Sequence, residues 1–240
     1  YGEFVFDWGW AEAYRRHGLP YYPKLVGAIP YTPATSPRLL LAPDQPHPAI
    51  TARAMADHVL EEARCRRWSS IHWLFPTPTE ADQLQSQTFL PRIGCQFHWH
   101  NRGYRDFQDF LDAFTAKRRK NINRERRLVR EAGLELRILN GRELSEGQCR
   151  IVHAFYRSTF ERLGGVATLT LPFFHDIAET LGEQLMLVLA FDRGREVAGA
   201  ISFCSASTLY GRHWGCRADH DSLHFEACYY QGLEYCIEQG

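Results

Sequence analysis

The chain has 240 residues, 45% of them hydrophobic and 13% aromatic, a composition that excludes intrinsic disorder. Its 28 basic residues balance its 28 acidic ones, so a general affinity for polyanions is not carried by bulk charge. Length admits one large or two small domains at roughly 100–200 residues each, and no apolar run approaches the ~20 residues of a spanning helix.

In chain order, Phe4-Val5-Phe6 reads as a strand end, and Asp7 as the cap of a helix reaching His17, with Gly18 as its stop. Tyr21 to Ile29 reads as a strand that Pro30, Pro33 and Pro37 end. Pro48 to Arg66 is expected to be helical, with Ile50, Ala54, Val59 and Ala63 on one side. Ile71, Trp73 and Phe75 alternate with polar neighbours, which predicts a strand over 70–75. A short helix over 79–86 and a strand over 93–100 follow.

One helical region is expected from Asp106 to Ala132. Its apolar seam is Phe107, Phe110, Leu111, Phe114, Arg118, Ile122, Glu125 and Val129, spaced by threes and fours. Within it, Lys117 to Arg130 gathers eight of the 28 basic residues in KRRKNINRERRLVR. A neutral protein that concentrates cations on one helix has built a place for an anion. Gly133 stops the helix. Then come a strand over 134–139, helices over 145–163 and 172–181, and strands over 185–191, 196–204 and 208–215. Asp192-Arg193-Gly194 and Ser205-Ala206-Ser207 are tight links, so these three strands should form an antiparallel meander. Ser222 to Glu238 closes as a helix.

Seven cysteines occur, an odd count without any C-x-x-C pair; reduced thiols in a cytoplasmic protein are expected. The chain starts at Tyr1 without an initiator Met and stops at Gly240 in or just past a helix. We expect both ends to be cuts within a longer protein.

From Leu134 onward the order of elements resembles the front portion of the acetyltransferase (GNAT) fold, and the order before Asp106 is compatible with the rear portion of another copy. The basic run Arg119-Lys120-Asn121-Ile122-Asn123-Arg124 leading into Gly133-Leu134-Glu135-Leu136 resembles the Fem-type peptidyltransferases. So do Phe155 to Arg162, Leu189-Ala190-Phe191, Val197 to Ala200 and Leu209 to Gly215. A closer similarity is to the FemAB-like peptidoglycan biosynthesis/recognition proteins, through Phe6-Asp7-Trp8-Gly9-Trp10-Ala11, Tyr22-Pro23-Lys24-Leu25 and Leu223 to Gly232. The resemblance implies an α/β fold of tandem GNAT-like domains with mixed, mainly antiparallel sheets, both copies incomplete here. The expected division is 1–105, a basic linking helix over 106–132, and 133–240. It also implies acyl or aminoacyl transfer to an amine acceptor, with a peptidoglycan-related acceptor as the candidate, in the cytoplasm.

Two departures stand out. Where acyl-CoA enzymes of the GNAT fold carry Q/R-x-x-G-x-G/A, this chain has Gly215-Cys216-Arg217-Ala218-Asp219-His220-Asp221-Ser222, without a glycine pair and with two aspartates. And 106–132 leaves no room for the helical hairpin of some Fem enzymes.

Arg118, Arg119 and Arg124 are the candidate binders of a diphosphate or carboxylate, because an Arg on an apolar seam wants a bidentate anion; a solvated charged face is the plain alternative. Tyr210, Arg212 and Trp214 should share one strand face, with Gly211 and Gly215 admitting a close backbone or ligand, and donors such as Tyr210 beside a developing oxyanion. Glu226 is the candidate general base and Tyr230 the candidate acid; the alternative for Glu226 is a structural ion pair with Arg212 or Arg157. Lys24, and Tyr31 at the end of its segment, are candidates in the first domain, facing an interdomain cleft. His98-Trp99-His100 lacks further ligands at useful spacing, so no metal is expected, and no G-x-S-x-G elbow occurs. No resident cofactor is implied: the donor is either aminoacyl-tRNA or acyl-CoA. The expected partner is an anionic small-molecule or nucleotide-linked acceptor, with tRNA as a further candidate. The rival reading is a non-catalytic protein whose basic helix binds RNA or a cell-wall precursor.

Overall fold

A computed structural model describes residues 7–240, so the expected strand end Phe4-Val5-Phe6 lies outside the described residues. The chain divides into two units, Tyr1–Phe97 and His98–Gly240. The basic helix packs within the second of them.

In the first unit, helix α1 (Trp8–Arg16) ends as expected, with Gly18 at φ +69° beyond it. Asp7 precedes α1 but makes no side-chain cap bond. Its carboxylate turns inward instead. The strand expected over 21–29 shrinks to β1 (Leu25–Gly27). Pro23, with no N–H to give, sits before it. Strand β1 pairs in parallel with β2 (Ile71–Trp73), across helix α2 (Pro48–Cys65). At Gly27 a Cβ would lie 2.5 Å from the Trp73 ring, so only glycine fits under that indole. Helix α2 buries Ala52, Ala56 and Ala63, whereas Ile50 and Ala54 face water. The expected stripe was one phase off, since 52, 56, 59 and 63 are the positions spaced by fours and threes. Helix α3 (Pro78–Gln85) is held by a capping box between Thr77 and Glu80. Buried Glu80 also accepts the backbone N–H groups of Arg38 and Leu39 at 2.8 and 2.9 Å.

The strand expected over 93–100 is absent. That stretch is irregular, with Ile93 93% and Phe97 98% exposed. Alternation alone makes no strand where no neighbour pairs with it and nothing covers its apolar face.

In the second unit the expected single helix over 106–132 is two: α4 (Phe107–Asp112) and α5 (Ala116–Glu131). Extended Thr115, at φ −61° and ψ 152°, restarts the helix, and the Arg119 guanidinium donates to the freed Phe114 carbonyl at 2.5 Å. Next comes β3 (Glu135–Asn140), then α6 (Glu146–Arg162) behind a Ser145/Gln148 capping box, and α7 (Leu171–Leu181). Strands β4 (Leu185–Asp192), β5 (Arg195–Cys204) and β6 (Leu209–Cys216) follow. Together they form an antiparallel sheet in the order β3-β4-β5-β6. Positive φ at Arg193 and Gly194 makes the β4–β5 turn of the kind that matches strand twist.

The sheet is covered on both faces, which is why β4 is a continuous apolar run. Leu185, Leu187, Leu189 and Phe191 face Val152, Tyr156 and Phe174 of α6 and α7. Met186, Val188 and Ala190 face the closing helix and α5. The closing helix is not uniform: α8 (Leu223–Phe225) passes through a π turn (Glu226–Tyr230) into α9 (Gln231–Gln239). Among the described residues no helix is long and apolar enough to cross a membrane.

Candidate functional site

Helix α5 sets the site. Ile122 and Val129 are its buried anchors, seven residues apart. Arg126 stands between them, four positions after one and three before the other, and so points at the protein rather than at water. Its Nε donates to both oxygens of Glu226 at 3.2 Å, and its Nη2 reaches Glu234 at 2.6 Å. The guanidinium also lies 4.5 Å from the centre of the Phe107 ring. Burial opposes its charge, but the hydrogen bond to Glu234 and the charge of Glu226 outweigh burial and raise its pKa, so it is a permanent cation.

Glu226 is 4% exposed. Besides Arg126 it accepts from the Gln231 amide at 2.8 Å. Residues five apart on an α-helix diverge by well over a right angle. The wider π turn between Glu226 and Tyr230 brings the two onto one face, as such turns do at functional sites. Tyr230 donates its hydroxyl to Glu125. Burial and that bond to a carboxylate raise its pKa, which keeps it a phenol; the nearby Arg118 cation pulls the other way.

Arg126, Glu226 and Gln231 border a cavity of about 200 Å³. Its basic wall is Arg126 and Arg130, its acidic wall Glu226 with Gln231, and its floor Val129, Leu134 and Leu136. Trp214 packs with that floor, edge-on to His224 at 5.3 Å.

The sequence candidates distribute as follows. Glu226 lines the cavity and Tyr230 lies one hydrogen bond away from α5 through Glu125. Glu226 pairs with Arg126, not with Arg212 or Arg157 as the structural alternative had it. Arg118 and Arg124 are exposed, against the expectation of an inward Arg118, while Glu125 and Arg126 are half-buried; the Arg118 charge still reaches Tyr230. Arg119 is half-buried and holds the α4–α5 junction. Tyr210 is exposed on β6.

Tyr210, Arg212 and Trp214 do not share one face. Ser202 pairs with Gly211 but Ile201 with His213, so Arg212 is the extra residue of a β-bulge. Arg212 and His213 therefore both turn toward α6, where His213 meets Tyr156 at 4.9 Å, while Trp214 turns to the cavity side. Burial and the Arg212 charge push the His213 pKa down to about 3, and burial also lowers that of Arg212. Of the two glycines, Gly215 does admit a backbone: a Cβ there would sit 1.8 Å from the Phe155 carbonyl oxygen of α6. Gly211 has open space around it.

Lys24 belongs to a separate cluster in the first unit. Its ammonium, 4% exposed, meets the Asp7 carboxylate at 2.6 Å. Tyr21 and Arg92 also donate to Asp7, at 2.9 and 2.5 Å, and His72 lies 3.3 Å away. Lys24 therefore neutralises a buried acid within its own unit.

Residues that sequence reasoning missed are Arg126, Arg130, Gln231 and Glu234. Arg126 carried a signal, since it falls in phase with Ile122 and Val129, and Arg130 carried one as the last cation of the basic run; Gln231 and Glu234 carried none. Among the described residues no group of three His, Cys, Asp or Glu is placed to hold a metal ion.

The FemAB-like family, described as peptidoglycan biosynthesis/recognition, matches residues 1–240. Among curated proteins none matches the chain.

Proposed function

Because the chain belongs to the FemAB-like family of peptidoglycan biosynthesis/recognition, we propose that it transfers an aminoacyl group to an amine of an anionic peptidoglycan precursor, in the cytoplasm. We take the second unit as a GNAT-type frame: a strand, two helices, three antiparallel strands and a helix. The first unit would be part of a tandem partner. The observation that carries the proposal is the cavity under α5, where two arginines of the basic helix face a buried carboxylate.

In this reading the acceptor's ammonium gives up one proton. Its nitrogen lone pair forms the C–N bond to the acyl carbon, the ester C–O bond breaks, and the leaving oxygen takes the second proton that the nitrogen sheds. Glu226, fixed by Arg126 and Gln231, hydrogen-bonds and orients the amine, and is the acceptor for its first proton. Tyr230, kept protonated, spends its hydroxyl hydrogen on Glu125 and fixes the closing helix against α5. The donor we favour is an aminoacyl ester. The stretch before the closing helix lacks a glycine pair and carries Asp219 and Asp221, and acids at a helix start disfavour a pyrophosphate there.

The test separates turnover from binding. Glu226→Gln keeps the hydrogen-bonding shape and should leave precursor binding within about twofold, while turnover drops roughly 10²–10⁴-fold, the range for loss of a proton acceptor. Unchanged turnover in that variant rejects the proposal. One observation favours the second reading, a recognition protein without catalysis: Glu226 already receives donors from both Arg126 and Gln231. In that case no turnover is detectable, and Arg130→Met weakens precursor binding.

A further inference from the structure

In the first unit a serine, a histidine and an aspartate stand in line. Ser70 and His72 lie either side of Ile71, the first residue of β2, so both side chains leave the same face of that strand. The Ser70 hydroxyl is 2.9 Å from His72 Nε2, and His72 Nδ1 is 3.3 Å from Asp7 Oδ2. Hydroxyl, imidazole and carboxylate thus follow one another through the two ring nitrogens.

The charges decide which way the proton runs. Asp7 is buried, yet hydrogen bonds from Lys24, Arg92 and Tyr21 outweigh burial and keep it ionised. A carboxylate accepts and does not donate, so it favours the ring tautomer with its proton on Nδ1. Nε2 then carries the lone pair, and the Ser70 hydroxyl is the donor to it. Ser69, its neighbour, meets no such base: its hydroxyl is given to the Tyr21 carbonyl. Ser70 and His72 are both partly exposed, which leaves the hydroxyl open to a small reagent.

We propose that Ser70 is a nucleophile activated by His72, with Asp7 as its positioning residue, and that the first unit forms an acyl-serine from small activated esters. The Ser70 oxygen bonds to the acyl carbon as its proton passes to His72 Nε2. The ester C–O bond breaks, and the leaving oxygen takes that proton. Water then gives a proton to the same nitrogen and attacks the acyl carbon; the bond to Ser70 breaks, and the proton returns to its oxygen. The sum is hydrolysis. Such a set is recognised by geometry and roles rather than by sequence position, so it needs no G-x-S-x-G elbow. Lys24 and Arg92 share the Asp7 carboxylate at 2.6 and 2.5 Å. Less of its charge is left for the imidazolium that forms, and turnover should be slow. The site is independent of Glu226, and its failure leaves the transferase reading standing.

The experiment incubates the intact protein with a fluorophosphonate, which bonds through phosphorus to an activated serine oxygen with loss of hydrogen fluoride. Peptide mass spectrometry should place the adduct on Ser70. With p-nitrophenyl acetate, a burst of about one equivalent of nitrophenol per chain should precede slower turnover. His72→Gln should slow labelling roughly 10²-fold or more, the range for loss of a general base, with an unchanged far-UV spectrum. Asp7→Asn presents an amide N–H to Nδ1. It should move the ring proton to Nε2, seen in the nitrogen NMR shifts of His72, and slow labelling with it; a merely structural Asp7 would leave the tautomer as it is. No adduct on Ser70, adducts spread over Ser69 and other serines, or labelling of Ser70 at the wild-type rate in His72→Gln overturns the proposal.

Discussion

Arg126 clasps Glu226 across the gap between α5 and the closing helix, with its Nε 3.2 Å from each carboxylate oxygen. The acid is 4% exposed, so its charge depends on that partner. Removing one member of such a pair strands the other without water. Arg126→Met should therefore cost about 3–5 kcal/mol of stability. Glu226→Gln leaves Arg126 with Glu234 and should cost less, about 1–2 kcal/mol. Combined, the two should cost less than their sum, because the double variant buries no lone charge. Urea denaturation of the four proteins checks this. Costs that are equal for the two single variants, or that simply add, would show that the pair is not what holds the two helices.

Gly215 and Gly211 sit on one strand and should respond oppositely to the same change. A methyl at Gly215 would meet the Phe155 carbonyl oxygen at 1.8 Å. That atom is helix backbone, which cannot rotate away, so α6 must lift from the sheet. Gly215→Ala should cost about 3 kcal/mol or more, the upper end for overpacking. Around Gly211 a methyl meets nothing within 4 Å, and Gly211→Ala should stay within about 0.5 kcal/mol. Thermal melts of both variants decide it; a mild Gly215→Ala would mean that α6 is not seated on β6.

The second unit was legible in the sequence where burial is periodic. The continuous apolar run of β4, the turn at Asp192-Arg193-Gly194 and the Ser145/Gln148 cap announce themselves through local chemistry. The cavity was less legible. Arg118 and Arg126 are both in phase with Ile122, and the choice between them rests on carboxylates about a hundred positions later. Glu226-Ala227-Cys228-Tyr229-Tyr230 bears no mark of a π turn, yet that turn brings Gln231 beside Glu226. Nor does any local signal place the bulge at Arg212, which separates Trp214 from Tyr210. In the first unit, alternation suggested longer strands than exist, because pairing partners decide a strand and alternation does not reveal them.

His213 makes the second unit sensitive to mild acid. Burial, with Arg212 beside it, lowers its pKa from 6.5 to about 3. The folded protein thus holds the neutral ring, while the unfolded chain takes up a proton below its ordinary pKa. A depressed folded-state pKa gives stability that is full above about 6.5 and fades as pH falls toward 3. Between about pH 7.5 and pH 5.5 the loss should be about 1 kcal/mol. His213→Gln should flatten that slope, whatever it does to stability at neutral pH. A slope between those two pH values that is unchanged in the variant would assign the acid sensitivity to other groups.

Asp7 gives the first unit a different acid response. Burial would raise its pKa, but hydrogen bonds from Lys24, Arg92 and Tyr21 outweigh burial and hold it at about 2, below the usual 3.8. A depressed carboxylate stabilises above its unfolded pKa, and that contribution is lost as pH falls from about 4 through about 2. Arg92 is largely in solvent, so the contribution is discounted to about 1–2 kcal/mol. Asp7→Asn preserves shape but removes the countercharge of Lys24, whose side chain is 4% exposed. That change should cost about 3 kcal/mol at neutral pH, the lower range for a broken buried pair. Lys24 sits directly before β1, so the loss should appear as faster amide exchange at Leu25–Gly27 and Ile71–Trp73. If exchange there stays at the wild-type rate in Asp7→Asn, the Lys24–Asp7 pair is not what holds β1 against β2.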